Sequence, residues 1–73
     1  MNWAAQRQEF MDEIKKFKEL LDPLVNGNVR LYRAEGNDPR VDITDEMRVD
    51  YETNIRNYQR LIEIVDEQVA SGR

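Results

Sequence analysis

Pairs of acidic residues are the groups in this chain with the most obvious potential for chemistry. Glu46 and Asp50 stand four residues apart, and so do Glu63 and Glu67. On a helix this spacing places both carboxylates on one face, where they could hold a divalent cation or divide acid and base roles. No converging ligands accompany either pair in the sequence. We therefore interpret both pairs as the solvated side of a helix and expect no metal site.

The remaining residue inventory argues against enzyme chemistry. The 73 residues include no Cys and no His, and the one serine, Ser71, lies close to the C-terminus. Without an imidazole or a thiolate, the chain lacks the usual general base and the usual strong nucleophile. We predict a protein that is not an enzyme, with no catalytic residue, no cofactor and no small-molecule substrate.

Two runs of large apolar residues predict the elements that organise the chain. Within each run the steps are mainly alternating fours and threes, which is typical of amphipathic helices that pack lengthwise. The first run is Phe10, Ile14, Phe17, Leu21 and Leu24, and the second is Tyr51, Ile55, Tyr58, Ile62, Val65 and Val69. We predict helices over about residues 3–21, with an extra turn to 26, and over about 45–70. Asn2 and Thr44 precede these helices and are the expected N-caps.

Two residues disturb the first run. Pro23 disfavours helical geometry at Asp22, so we expect a break or kink there, with Gly27 as the left-handed terminator of any further turn. Arg7 interrupts the apolar spacing nearer the N-terminus. We expect its stem to lie along apolar neighbours with its charge in water, and a polar residue that sets the helix register is the alternative.

The segment over about residues 28–43 departs from helical spacing. Val29, Leu31, Val41 and Ile43 alternate with polar residues, and the turn-forming stretch from Glu35 to Asp38 separates the two arms. A hairpin that pairs Val29 with Ile43 and Arg33 with Pro39 is self-consistent, and an extended loop is the alternative. The predicted fold class is therefore mainly α (α+β): two amphipathic helices that flank a short β-hairpin or extended loop in a single small domain, residues 1–73.

The size of the chain predicts a binding partner. A domain this small buries only about 60% of the surface that its unfolded chain exposes, and the sequence offers neither disulfides nor a structural metal as support. Because the second predicted helix is longer than the first, we expect its far end to remain partly uncovered. The hairpin residues Arg30 and Tyr32 are of types that interfaces favour. The predicted partner-binding residues are Arg30, Tyr32, Leu61, Ile64, Val65 and Val69.

The charge pattern limits the kinds of partner. The net charge is −4, and bases alternate with acids instead of forming the basic stripe that nucleic-acid binding requires. No apolar run approaches the length of a membrane span, and the N-terminal MNWAAQRQEF lacks the apolar core of a signal peptide. We expect a protein partner or self-association, without sequence-specific nucleic-acid binding or membrane contact, in the cytoplasm.

The hairpin segment carries a resemblance to a known family. The run resembles G-x-V-x-[LV], then a glycine, then R-V-[DE]-[FI]-T, and the chain order is helix, hairpin, helix. The matching residues are Gly27, Val29, Leu31, Gly36, Arg40, Val41, Asp42, Ile43 and Thr44. In these features the chain resembles the small head-to-tail joining protein W family of long-tailed phages. The resemblance implies an adaptor that forms a ring between portal and tail through protein contacts, located in the bacterial host cytoplasm or in the virion. The chain departs from the family in its longer, more acidic second helix and in lacking a basic tail.

Two other functions compete with an adaptor. A small acidic protein could mimic nucleic-acid charge and block a nucleic-acid-binding protein, which predicts that acids of the second helix converge on one face. A plain helical dimerisation or scaffolding module instead predicts a melting temperature that depends on protein concentration.

Overall fold

The computed structural model describes residues 2–71 and contains two helices and two short strands. The chain order is α1 (Trp3–Val25), β1 (Tyr32–Arg33), β2 (Val41–Asp42) and α2 (Thr44–Ser71). This order confirms the predicted fold class, since two helices flank a two-stranded antiparallel hairpin. Of the predicted domain 1–73, residue 1 and residues 72–73 lie outside the described range.

Helix α1 begins as predicted. The Asn2 side chain accepts a hydrogen bond from the Ala5 N–H at 3.0 Å, and its backbone carbonyl accepts one from the Gln6 N–H at 3.1 Å. The Asn2 side chain therefore satisfies one N–H group of the first turn that has no partner inside the helix, and its carbonyl accepts the first helical hydrogen bond.

Helix α1 continues through Pro23 to Val25, so a break at Asp22 is wrong and the predicted further turn to about residue 26 is confirmed. Beyond the proline, the Asn26 N–H still donates to the Asp22 carbonyl at 2.9 Å, and Leu24 is buried with 7% of its surface exposed. Packing of Leu24 thus favours a last helical turn that proline by itself disfavours. Gly27, at φ 77°, then ends the helix in the left-handed conformation that was predicted for it.

Helix α2 begins at Thr44, one residue before the predicted start at about residue 45. The Ile43 carbonyl accepts the first helical hydrogen bond, from the Met47 N–H at 2.9 Å, so Ile43 occupies the cap position and Thr44 is the first helical residue. The predicted N-cap role of Thr44 is therefore wrong, because its hydroxyl bonds to the hairpin instead. Asp45 and Glu46 do lie in the first turn, where negative charge interacts favourably with the helix dipole.

The two helices pack antiparallel along the predicted apolar runs. Phe10 lies 5.8 Å from Tyr58 between ring centroids, and Phe17 lies 5.9 Å from Tyr51 and 6.1 Å from Tyr58. Such ring pairs add to the stability that burial of their surface provides. The buried apolar side chains of the described chain are Leu24, Ile55 and Val65, so the core is small.

The hairpin forms, but with a register two residues away from the predicted one. Tyr32 pairs with Asp42 and Arg33 with Val41, so Leu31 rather than Val29 lies opposite Ile43. The predicted register set Pro39 within the ladder, where proline has no N–H to donate. A shift of two residues keeps each side chain on its predicted face, because strand side chains alternate with period two.

The hairpin projects from one end of the helix pair instead of packing along it. Residues 32–42 are all exposed, whereas Leu31 and Ile43 at the base of the hairpin are half-buried. The described chain is correspondingly elongated, with principal dimensions of 57 × 26 × 15 Å. The helices thus provide a packing surface only for the base of the hairpin.

Candidate interaction surfaces

A hydrogen-bond network centred on Asp42 and Thr44 joins the base of the hairpin to α2. Oγ1 of Thr44, a residue with 3% of its surface exposed, accepts from the Leu31 N–H at 2.9 Å and donates to Asp42 Oδ1 at 2.6 Å. Asp42 Oδ1 also accepts from the Thr44 N–H at 2.9 Å. The other carboxylate oxygen of Asp42 accepts from Arg30 Nε at 2.8 Å and Nη2 at 2.6 Å. These bonds hold the hairpin at a fixed position on the first turn of α2.

The network shifts the acid–base properties of both charged residues. The Thr44 hydroxyl, then the Thr44 N–H and the Arg30 guanidinium, stabilise the ionised carboxylate and lower the pKa of Asp42 to about 2. The hydrogen bond and the charge of Asp42 in turn raise the pKa of Arg30. Arg30 was predicted to bind a partner, and the structure assigns its guanidinium a contact within the chain, although 54% of its side chain stays exposed.

Tyr32 lies on the same side of the hairpin as Arg30 and is 49% exposed. The Arg40 guanidinium carbon lies 5.1 Å from the centre of the Tyr32 ring, within the range of a cation–π contact. We call the surface formed by Arg30, Tyr32, Arg40 and Asp42 the outer hairpin face. It presents one aromatic ring among charged side chains, and of its four residues only Arg30 and Tyr32 were predicted to bind a partner.

Three of the predicted partner-binding residues on α2 are exposed. Leu61, Ile64 and Val69 have 39%, 43% and 59% of their surfaces exposed. We call these three residues the distal end of α2. Leu61 and Ile64 lie to one side of the helix contact, whereas Val69 lies beyond the last described ion pair between the helices, which joins Arg7 to Asp66.

Val65, the fourth predicted residue on α2, was placed wrongly. It has 3% of its surface exposed and belongs to the core. The prediction expected the far end of α2 to extend past α1, but the N-terminal turns of α1, which begins at Trp3, lie beside Val65. Arg7 marks this coverage, since its Nε lies 2.9 Å from Asp66 Oδ1 and so joins the two helices beside Val65.

An open groove on one flank of the helix pair was missed by the sequence analysis. Its apolar floor is formed by Leu21 and by Ile55, which is 8% exposed. Two bases and two acids stand around this floor: Lys18, Asp22, Glu52 and Arg56. The i,i+4 spacings of Lys18 with Asp22 and of Glu52 with Arg56 are the sequence signal for this rim, but only the antiparallel packing brings the two pairs together.

The two carboxylate pairs considered as possible metal ligands lie on the outside of α2. All four residues, Glu46, Asp50, Glu63 and Glu67, are exposed. Over residues 2–71, no group of three or more acidic, His or Cys side chains is arranged to hold a metal ion. In the same range, neither helix has the length and apolar content to cross a membrane.

The outward face of α2 carries charges of both signs. The acids Asp45, Glu52, Glu63 and Glu67 were expected not to share a helical face, but at about 100° per residue they lie within about 60° of one another. Arg56 and Arg60 lie on the same side of the helix. Arg48 Nη1 also lies 2.8 Å from Glu52 Oε1. This mixed face gives no support to mimicry of a uniformly negative nucleic acid.

The fold and these surfaces define a class, namely a two-helix hairpin whose connection forms a projecting β-hairpin. Comparison with protein-family models, with the curated proteins and with the solved structures gives no match to this chain.

Proposed function

We propose that this chain is a non-enzymatic protein–protein interaction module that binds through the distal end of α2. The observation that carries the proposal is the exposure of Leu61, Ile64 and Val69 within nine residues of one helix. The buried apolar core of the described chain, by comparison, is only three side chains. Apolar side chains that cluster on a surface are typical of sites where another protein docks.

The test compares two similar substitutions on α2. Ile64 and Val49 are both β-branched and are 43% and 49% exposed, but Val49 lies near the start of the helix. We expect Ile64→Asp to abolish self-association in sedimentation velocity, or to release the protein partner retained by cross-linking in the native source. Val49→Asp should leave association unchanged. A wild-type chain that stays monomeric and retains no protein would refute the proposal.

The family resemblance of the hairpin supports a narrower form of the proposal, a phage head-to-tail adaptor that assembles as a ring. The chain order of helix, hairpin and helix is consistent with it, and the outer hairpin face would supply a second contact for a neighbouring subunit. Electron microscopy and light scattering of the purified chain test this form. A ring of several subunits would support it, whereas a particle no larger than a dimer would count against it.

A further inference from the structure

The outward face of the second half of α2 is divided by charge. Arg56 and Arg60 occupy its N-terminal part, and Glu63 and Glu67 its C-terminal part. Helical geometry places these four residues in one strip directed away from the contact with α1, with Arg56 also at the rim of the groove beside α1, and all four are exposed. Ile64, 43% exposed, borders the strip.

This division places like charges beside each other, and the nearby opposite charges, Glu52 for Arg56 and Glu63 for Arg60, form no described ion pair with these arginines. Arg56 and Arg60 are like charges at i,i+4, as are Glu63 and Glu67, and such neighbours repel one another along a helix. In the described chain none of the four forms an ion pair, and the described hydrogen bond of Arg56 goes to Thr53 Oγ1 at 3.3 Å. Other exposed charges, such as Arg48 with Glu52, are paired. The two arginines and two glutamates of the strip are therefore available to form ion pairs with a partner.

A second copy of the same helix, running antiparallel, complements this strip. A two-fold axis that passes between Leu61 and Ile62 sets Arg60 opposite Glu63 of the second copy. The same axis sets Arg56 opposite Glu67 of the second copy, because both pairs are centred on the same point of the helix. A single symmetry operation therefore pairs all eight charges, which is the property required of an isologous interface.

The orientation is also specified by repulsion. A parallel, in-register pairing would set arginine against arginine and glutamate against glutamate, which disfavours it. A shallow depression on the surface of α2 gives the partner helix a place to pack between side-chain ridges. It is lined by Arg56, Gln59, Arg60, Glu63, Ile64 and Glu67.

We infer that α2 pairs with α2 of a second copy of this chain in an antiparallel dimer, in which Arg56 and Arg60 of each copy contact Glu67 and Glu63 of the other. The inference rests on the proposed function in its general form, not on the ring adaptor, and names its partner and geometry: the strip supplies orientation, and Ile64 at its border supplies apolar contact. Because the pairs are exposed, added salt weakens the dimer.

Charge reversal tests the geometry. The variants R56E/R60E and E63R/E67R each give the strip a single sign, so we expect each to weaken the homodimer roughly tenfold or more in sedimentation equilibrium. An equimolar mixture of the two should dimerise again. The variant R56E/R60E/E63R/E67R, which has the wild-type amino-acid composition, should form homodimers like the wild type.

Subunit exchange with the wild type distinguishes the two orientations. In an antiparallel pair, the four-residue variant sets like charges against the wild type, so native mass spectrometry of a mixture should show homodimers only. Free mixing into heterodimers would overturn the antiparallel arrangement. Far-UV circular dichroism checks that each variant keeps its helix content. If a double variant unfolds, the exchange experiment with the four-residue variant still tests the geometry.

The outcomes separate this inference from the proposed function. If charge reversal leaves association unchanged while Ile64→Asp abolishes it, the dimer geometry is wrong and the distal end of α2 still binds protein. A wild-type chain that is monomeric at all concentrations overturns the dimer. If such a monomer still cross-links to a different protein, and Ile64→Asp abolishes that cross-link, the proposed interaction module is supported without the dimer.

Discussion

At the scale of single residues, Thr44 has a larger role than the predicted helix cap. Its hydroxyl accepts from the Leu31 N–H and donates to Asp42, so one buried side chain connects the incoming arm of the hairpin, the outgoing arm and α2. A buried polar group is tolerated only when its hydrogen bonds are satisfied, and this network satisfies Thr44. The position of the hairpin therefore depends on an oxygen atom that no apolar side chain can replace.

Replacing Thr44 by valine keeps the shape of the side chain and removes that oxygen. We expect Thr44→Val to lower the free energy of unfolding by about 1–3 kcal/mol, because the Leu31 N–H loses its partner in a part-buried site. Urea unfolding measures the loss, and hydrogen exchange at the Leu31 amide locates it. Thr44→Ser, which keeps the hydroxyl, should preserve the protection of that amide, and equal exchange in both variants would contradict the assigned bond.

Asp42 gives the network a pH dependence. Its pKa is about 2 in the folded chain, against an ordinary value of 3.8. A lowered pKa contributes stability that is fully present above the ordinary value and is lost as the pH falls through the folded value. Between pH 4 and pH 2 we therefore expect the melting temperature to fall, and to fall less in Asp42→Asn than in the wild type.

A matched control for this experiment is Asp38→Asn. The Asp38 carboxylate lies in the exposed turn of the hairpin and has no described hydrogen bond or ion pair. The control should therefore keep the wild-type dependence between pH 4 and pH 2. An Asp42→Asn variant with that same dependence would show that the network does not stabilise the fold.

At the scale of elements, the extent of α1 decides which part of α2 is core. The continuation of α1 through Pro23 brings Leu24 into the core at one end of the helix pair, and the Arg7–Asp66 contact reaches past Val65 at the other end. The predicted helix lengths did not include this alignment of the N-terminal end of α1 with Val65. Val65 consequently belongs to the stable interior, and Val69 belongs to the exposed end.

Val65 and Val69 offer a matched pair for measuring this boundary. Val65→Ala removes two buried methyl groups, which we expect to cost about 1–2.5 kcal/mol of unfolding free energy. Val69→Ala, at a site 59% exposed, should change it by less than about 0.5 kcal/mol. Chemical denaturation of both variants measures the difference, and equal effects would mean that the helices end together at a different position.

At the scale of the whole molecule, the shape explains why association is expected. Two helices and a projecting hairpin extend over 57 Å but are only 15 Å thick in the narrowest direction, so few side chains can be enclosed. A small domain with so thin a core gains stability from any surface that a partner covers. The exposed apolar residues of α2 and the charged strip beside them are the surfaces available for this purpose.

Self-association makes stability depend on concentration. We expect the melting temperature of the wild type to rise with protein concentration, because only the folded chain dimerises. Differential scanning calorimetry over a wide concentration range measures this rise, which should be absent in Ile64→Asp. A wild-type melting temperature independent of concentration would argue against any self-assembly.

The approximate positions of both helices and of the hairpin can be predicted from the amino-acid sequence. Apolar spacing identified both helices, Asn2 marked the start of α1, Gly27 marked its end, and alternation around Leu31 and Ile43 marked the hairpin. These signals are local, since a helix or strand period is set by residues within a few positions of each other. Local signals are therefore sufficient to predict the fold class.

How the helices and the hairpin pack against one another depends on contacts between distant parts of the chain. The hairpin register, the burial of Val65 and the bonds of Thr44 each depend on atoms from segments far apart in the chain. Val65 and Val69 are consecutive members of the same apolar run, yet one is enclosed and the other is not. The physical reason is that burial depends on the length and alignment of the opposing helix, a property that the periodicity of either helix does not contain.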